Sequence, residues 1–267
     1  MSPDDIAAAA RYYRDIFERR GPLSPPPSCR PTDLTDAYDV QLAWAATFAD
    51  GTRGELVGYK IALTTPVMQQ LLGFDQPCIG PIFETSIHES PAALDFDKFG
   101  RPGVECEIAV RLGADLDAGP YDRDSVGAAV AACMAAIEIV DDQNADYAVI
   151  DAHTLIASGA WNGGCILSKP IAAWREVDLR GVVGTLVING EEIEAGRGAD
   201  VMGHPFEALA FVANTLVGQG RPLRRGMIVM TGSLVGTKWP ARGDEVMVRM
   251  DGVGQASASF GQTQKVE

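Results

Sequence analysis

The chain has 267 residues, 46% hydrophobic and 22% charged, with 22 Lys and Arg against 36 Asp and Glu for a formal charge of −14. That length allows one domain, or two closely joined ones, with a sizeable core, and the composition excludes a disordered chain. So acidic a field argues against nucleic acid or an anionic membrane surface as partner, since both demand a basic footprint.

The first predicted element is a helix from Asp4 to about Arg20. Its opening, MSPDDIAAAARYYRDIF, has acids where a secretory signal would carry bases. The Pro-rich GPLSPPPSCRP, 21–31, cannot continue a helix and reads as a surface connection. A second helix is expected from Thr32–Thr35 to before Gly51, followed by a strand in GELVGYKIAL. Thr65-Pro66 opens a short helix, with Thr as N-cap and Pro at the first helical position, and Gly73 stops it. Strands then dominate: CIGPIFETSI, VECEIAVRL, and IEIVD after a helix expected over SVGAAVAACMAA. GCILS, the hairpin VVGTLVINGEEIEAG with its tight Asn189-Gly190 turn, MIVMTGSL and DEVMVRM follow, with one more helix in HPFEALAFVANTLVGQG.

The order lacks the βαβ rhythm of a doubly wound sheet, which predicts an α+β fold. A small helical N-terminal region, 1–75, is expected to join a β-rich catalytic domain of mixed sheets, 76–267. No glycine cluster sits between a strand and a helix as a dinucleotide site requires. No stretch approaches the roughly 18 apolar residues of a membrane span. Five dispersed cysteines (Cys29, Cys78, Cys106, Cys133, Cys165) form no CxxC and read as reduced thiols of a cytoplasmic protein.

The chemistry concentrates in Val104-Glu105-Cys106-Glu107-Ile108-Ala109-Val110. In a strand, Val104, Cys106, Ile108 and Val110 share one face, and Glu105 and Glu107 stand side by side on the other. Two like charges at that spacing repel unless a cation lies between them, and hard divalent ions take oxygen ligands. Two glutamates on a solvated strand face would satisfy the same alternation. Glu138, alternating with apolar neighbours in Ala136-Ile137-Glu138-Ile139-Val140, is a third carboxylate that needs a partner, either an arginine or a shared cation. Three strand-borne glutamates are compatible with a facial metal site that leaves half the coordination sphere free.

These segments resemble the hydratase/decarboxylase branch of the fumarylacetoacetate hydrolase superfamily. The likeness runs through LTDAYDVQ (34–41), GYKIALT (58–64), MQQLLGFDQP (68–77), VECEIAVRLGADL (104–116), AAIEIVD (135–141), Gly203-His204-Pro205, and MTGSLVG with the later P and GD up to Asp244. It covers nearly the whole chain, and the order and spacing of the segments make it specific. The resemblance implies a fumarylacetoacetate-hydrolase-like fold and a homo-oligomer. It implies that Glu105, Glu107 and Glu138 ligate Mg²⁺ or Mn²⁺, and that Lys60 lies beside a bound 2-oxo acid. Lys60 could pair with the substrate carboxylate or, if desolvated, exchange protons. Thr231 and Gly232 resemble a substrate-contacting turn, where a glycine permits close backbone approach.

Two departures qualify the likeness. Hydratases of this branch carry an acid after the proline of Asp75-Gln76-Pro77, where this chain has Cys78. Cys78 is therefore a candidate replacement in catalysis, although a small buried thiol would explain it equally. In Ile156-Ala157-Ser158-Gly159-Ala160-Trp161-Asn162, Trp161 and Asn162 stand where small hydroxyl residues are usual and imply a more crowded pocket wall. Among the histidines, His153 is a possible acid/base group, while His204 and His88 read as capping and loop residues.

The activity implied is metal-dependent addition of water to a short 2-hydroxydienoate or 2-oxo-enoate, giving a 4-hydroxy-2-oxo acid. Decarboxylation of a 2-oxo-3-hexenedioate at the same site is the alternative, which the missing acid favours. A non-catalytic partner subunit would not need Glu105, Glu107, Glu138 and Lys60 intact, and acylpyruvate hydrolysis would need a His-assisted water. The expected partner is a small-molecule 2-oxo acid.

Overall fold

The computed structural model describes residues 1–261. Helix α1 (Pro3–Arg19) starts at a Ser2 capping box with Pro3 in its first turn, and ends on Arg20 in the left-handed conformation. Helix α2 (Leu34–Ala46), capped by Asp33, lies against α1 and buries Tyr38, Gln41 and Trp44. Strand β1 (Leu56–Ala62) leads to α3 (Pro66–Leu71), capped by Thr65. Then come β2 (Cys78–Phe83), β3 (Ile87–Glu89), β4 (Ala92–Asp95), β5 (Pro102–Leu112), α4 (Arg123–Ala128) and β6 (Val130–Asp141). The chain continues through α5 (Ala152–Ala157), β7 (Asn162–Leu167), the hairpin β8 (Val183–Ile188) and β9 (Glu191–Arg197), and α6 (Pro205–Gly218). It closes with β10 (Ile228–Ser233), β11 (Glu245–Met250) and β12 (Gly254–Gly261).

The strands form two mixed sheets. The larger runs β2-β1-β10-β5-β6-β7-β3 and the smaller β4-β12-β11-β8-β9. Strands β2 and β7, from opposite ends of the larger sheet, come into contact, so that sheet is strongly curled. Its outer face, with Val104, Cys106, Ile108, Ile137 and Ile139, packs into the main core that it shares with the smaller sheet. Its inner face holds a second apolar cluster of Ile82, Ala109, Met134, Ala136, Cys165 and Met230. The α+β reading from sequence holds. Strand β1 belongs to the larger sheet, between β2 and β10, so that sheet draws on residues both before and after position 75.

Besides the short β4 and α5, which the sequence reading does not mark, two elements differ from expectation. The helix expected over 125–136 stops at Ala128, and Val130–Ala136 instead opens the long strand β6. The run VAACMAA is almost entirely buried, and its small side chains fit a central strand covered on both faces; a buried apolar run has no periodicity to separate strand from helix. Strand β12, GQASASFG, has too many small polar residues to read as a strand, yet it alternates buried and part-exposed residues across from β11 and β4.

Candidate active site

The acidic face of β5 is not solvated. Glu107 and Glu138 are fully buried, and Glu105 is only partly exposed. The register between β5 and β6 sets Glu105 directly opposite Glu138, with Glu107 one step further along opposite Ala136. By alternation these glutamates continue the rows of Ala109 on β5 and of Met134 and Ala136 on β6, so the curled sheet's inner face is apolar at one end and acidic at the other. One carboxylate oxygen from each of Glu105, Glu107 and Glu138 lies within 4.8 Å of the others.

The cation nearest this cluster is Lys60 on β1, which is 3% exposed and places Nζ 2.9 Å from Glu138 Oε1. Burial pulls the Lys60 ammonium down, but the charges of Glu138 and Glu105 outweigh it and hold the group above its usual range. Burial, followed by repulsion from Glu138, pushes the Glu105 carboxyl up to about 7, and Glu107 is raised well above its ordinary value by the same causes. With all three carboxylates ionised the cluster and Lys60 would carry two net negative charges, difficult to bury uncompensated, which is why the carboxyls are pushed up unless a cation joins them. Glu107 Oε1 and Glu138 Oε2 have no hydrogen-bond partner. Unsatisfied oxygens of fixed position, converging on one point and needing a positive charge to be ionised together, fit a hard divalent cation held from one side. Supporting donors complete the arrangement: the Gly232 amide donates to Glu107 Oε2 at 2.9 Å, and the Thr237 hydroxyl donates to Glu105 Oε1.

A cavity of about 340 Å³ opens over this cluster, with Lys60 and Glu105 in its wall. Helix α3 contributes Val67 and Met68, the end of β10 and the loop after it contribute Ser233–Thr237, and Tyr147 and Trp161 close another side. Trp161 reaches the wall because Gly159, Ala160 and Trp161 turn through consecutive left-handed conformations (φ +77°, +53°, +56°). The turn nests on Gly80 of β2, where a Cβ would lie 2.3 Å from the Gly159 carbonyl oxygen.

Sequence reasoning thus names Lys60, Glu105, Glu107 and Glu138, and the fold brings all four together. Other expectations need correction. The Thr231 side chain is fully buried, and its hydroxyl donates to the Ile108 carbonyl at 2.7 Å, so it is spent on holding β10 to β5. Gly232, at φ +104°, turns its amide toward Glu107 and serves the carboxylate cluster. Cys78 is fully buried in β2 opposite Ala62, outside the cavity wall; burial pushes its thiol up to about 12, with Lys60 drawing it partly back. Such a thiol is protonated at neutral pH and shielded from a ligand. His153 packs edge-on against Phe74, and His204 caps α6 by accepting from the Phe206 amide. Asn162 is buried behind the wall that Trp161 forms. Thr237, Glu194 and Asp200 also line the cavity; nothing in their local sequence marks them, because they arrive from the loop after β10 and from around β9.

Residues 79–260 match the model of the fumarylacetoacetate (FAA) hydrolase C-terminal family. The chain belongs to that family. Among relatives, it is 32% identical to 2-keto-4-pentenoate hydratase of Burkholderia vietnamiensis over 263 residues, covering 97% of this chain and 99% of the relative. It is 31% identical to 4-oxalocrotonate decarboxylase of Pseudomonas putida over 228 residues, 85% of each chain. The solved structure of 4-oxalocrotonate decarboxylase from Pseudomonas putida G7, complexed with magnesium and adipate, superposes with a TM-score of 0.91 at 27% identity, covering 97% of this chain and 98% of that one. Fumarylacetoacetate hydrolase family membership thus accounts for the curled sheet and the smaller sheet packed on it. Among the described residues, no helix is long and apolar enough to cross a membrane.

Proposed function

We propose that the protein is a lyase, a Mg²⁺- or Mn²⁺-dependent hydratase that converts a 2-hydroxydienoate, through its 2-oxo-3-enoate tautomer, into a 4-hydroxy-2-oxo acid by adding water at C4. The observation that carries this reading is the convergence of Glu105, Glu107 and Glu138 beside Lys60 at the cavity wall, in a chain that resembles 2-keto-4-pentenoate hydratases over its full length.

Glu105, Glu107 and Glu138 would hold the cation, which supplies Lewis-acid polarisation of the substrate's 1-carboxylate and 2-oxygen. Gly232 and Thr237 fix two of the carboxylates through the bonds described above, so little reorganisation is needed when a ligand enters. Lys60 holds its proton firmly and faces the cavity, which suits it to pair with the substrate carboxylate and to keep a proton near the enol oxygen. The apolar walls exclude bulk water and strengthen these interactions.

Decarboxylation of 2-oxo-3-hexenedioate is the second reading, favoured by the close superposition on a 4-oxalocrotonate decarboxylase. Incubating the protein and Mg²⁺ with 2-hydroxypenta-2,4-dienoate or with 2-oxo-3-hexenedioate, followed by mass spectrometry, separates the two. A gain of water with the first compound is expected; loss of CO₂ from the second with no hydration of the first would overturn the hydratase reading. The burial of all five cysteines without a disulfide supports a cytoplasmic location. We propose a homo-oligomer, which light scattering at micromolar concentration checks.

A further inference from the structure

Resting on the hydratase reading, we infer that the far end of the ligand is an uncharged, apolar tail, and that α3 and Trp161 select it against a second carboxylate. The charges of the cavity carry the first half of this. Among the described residues in its wall, the charged ones are Lys60, Glu105, Glu194 and Asp200. Lys60 sits at the cluster beside Glu138, where it serves the 1-carboxylate rather than the far end of the ligand. The neighbouring cation, Lys238, is neutralised by Glu194 at 2.5 Å. A second ligand carboxylate would therefore lose its hydration and find, among the described wall residues beyond the cluster, neutral hydroxyls, the paired Glu194 and the acid Asp200, with no free cation to offset it.

The walls carry the second half. Val67, Met68 and Leu72 on one side and Leu155 and Trp161 on another present hydrocarbon and aromatic surface to the cavity. Val67 is 75% exposed and Met68 36% exposed, so this apolar surface continues out of the cavity to its mouth. An alkyl chain extending past the reacting carbons would cover it, which nothing within the described chain does. Trp161 is a fixed wall: its ring meets Tyr147 edge-on at 5.5 Å. The Tyr147 hydroxyl donates to Asp142 at 3.0 Å, and Arg101 holds Asp142 in turn. The departure at Trp161 thus gives this chain an aromatic surface, braced from behind, along the path of the tail.

The test is calorimetric titration of the Mg²⁺-loaded protein with saturated 2-oxo acids, which bind without being turned over. From 2-oxopentanoate through 2-oxohexanoate to 2-oxoheptanoate, Kd should fall by up to roughly fourfold per methylene. The diacid 2-oxoheptanedioate, equal in length to the last, should bind about tenfold more weakly than 2-oxoheptanoate or worse. A flat series, or a diacid that binds as well as the monoacid, would overturn the inference. Met68→Lys, at a part-exposed position that tolerates the change, should narrow the monoacid-to-diacid ratio by about threefold or more; an unchanged ratio would overturn the part assigned to α3. Because binding is read without turnover, failure of the dienoate to gain water would sink the hydratase reading alone, and failure of this series would sink the tail assignment alone.

Discussion

Lys60→Met removes the cation that faces Glu138 while keeping an unbranched side chain one atom shorter. At 2.9 Å and an effective dielectric of about 20, the attraction between the two charges is about 6 kcal/mol before the cost of burying them is subtracted. Because Lys60 and Glu138 are 3% and 0% exposed, that cost has already been met in the folded protein, and deleting one partner strands the other. Breaking such a pair costs about 3–5 kcal/mol. For a chain of this length a kcal/mol shifts Tm by about 2 °C, so Tm should fall by roughly 6–10 °C. The assay is thermal and urea unfolding of the two proteins in EDTA, repeated in excess Mg²⁺. Cation binding to the native state alone adds stability by mass action, and the variant's cluster has lost its own positive charge, so the deficit should shrink when Mg²⁺ is added. A loss below about 1 kcal/mol in EDTA, or a deficit that Mg²⁺ leaves unchanged, would refute the view that Lys60 compensates a cation-binding carboxylate cluster.

Glu107→Gln keeps the shape of the side chain and removes one of three converging charges, so calorimetry should show Mg²⁺ affinity reduced by about tenfold or more and dienoate hydration nearly abolished. Gly232→Ala puts a methyl group 2.8 Å from Thr64 Cγ2 at φ +104°; it should cost about 1–3 kcal/mol in urea unfolding and weaken Mg²⁺ binding by displacing the amide that holds Glu107. Cys78 is fully buried with its thiol pushed up to about 12, so alkylation by iodoacetamide at pH 8, followed by peptide mass spectrometry, should spare it in the native protein and label it in urea. Cys78→Asp should destabilise by several kcal/mol without raising the hydration rate, since an unpaired carboxylate would be sealed beneath the wall.

Local patterns in the sequence marked the α+β class, most of the strands, the short Thr65-capped helix and the three glutamates at the centre of the site, while Lys60 entered only through the family resemblance of its segment. Those patterns are a cap before a proline, a Gly after a helical run, and glutamates alternating with apolar residues at a period of two. Alternation places Glu105 and Glu107 on one face, but whether that face is wet depends on what covers it, and the curl of the larger sheet decided that it is dry. The nature of VAACMAA was likewise decided from outside, by the layers that bury both faces of β6 and favour a strand over the helix its alanines suggest. Pairing was beyond local pattern altogether. Lys60 meets Glu138 across strands 78 residues apart in sequence, Thr231 spends its hydroxyl on Ile108, and Cys78 lies behind the wall. Glu194, on the smaller sheet's edge strand β9, and Asp200, in the turn after it, also face the cavity. A side chain's type and spacing fix what chemistry it can offer; its exposure, its partner and the field around it come from residues distant in the chain, and only the packed sheets bring those together.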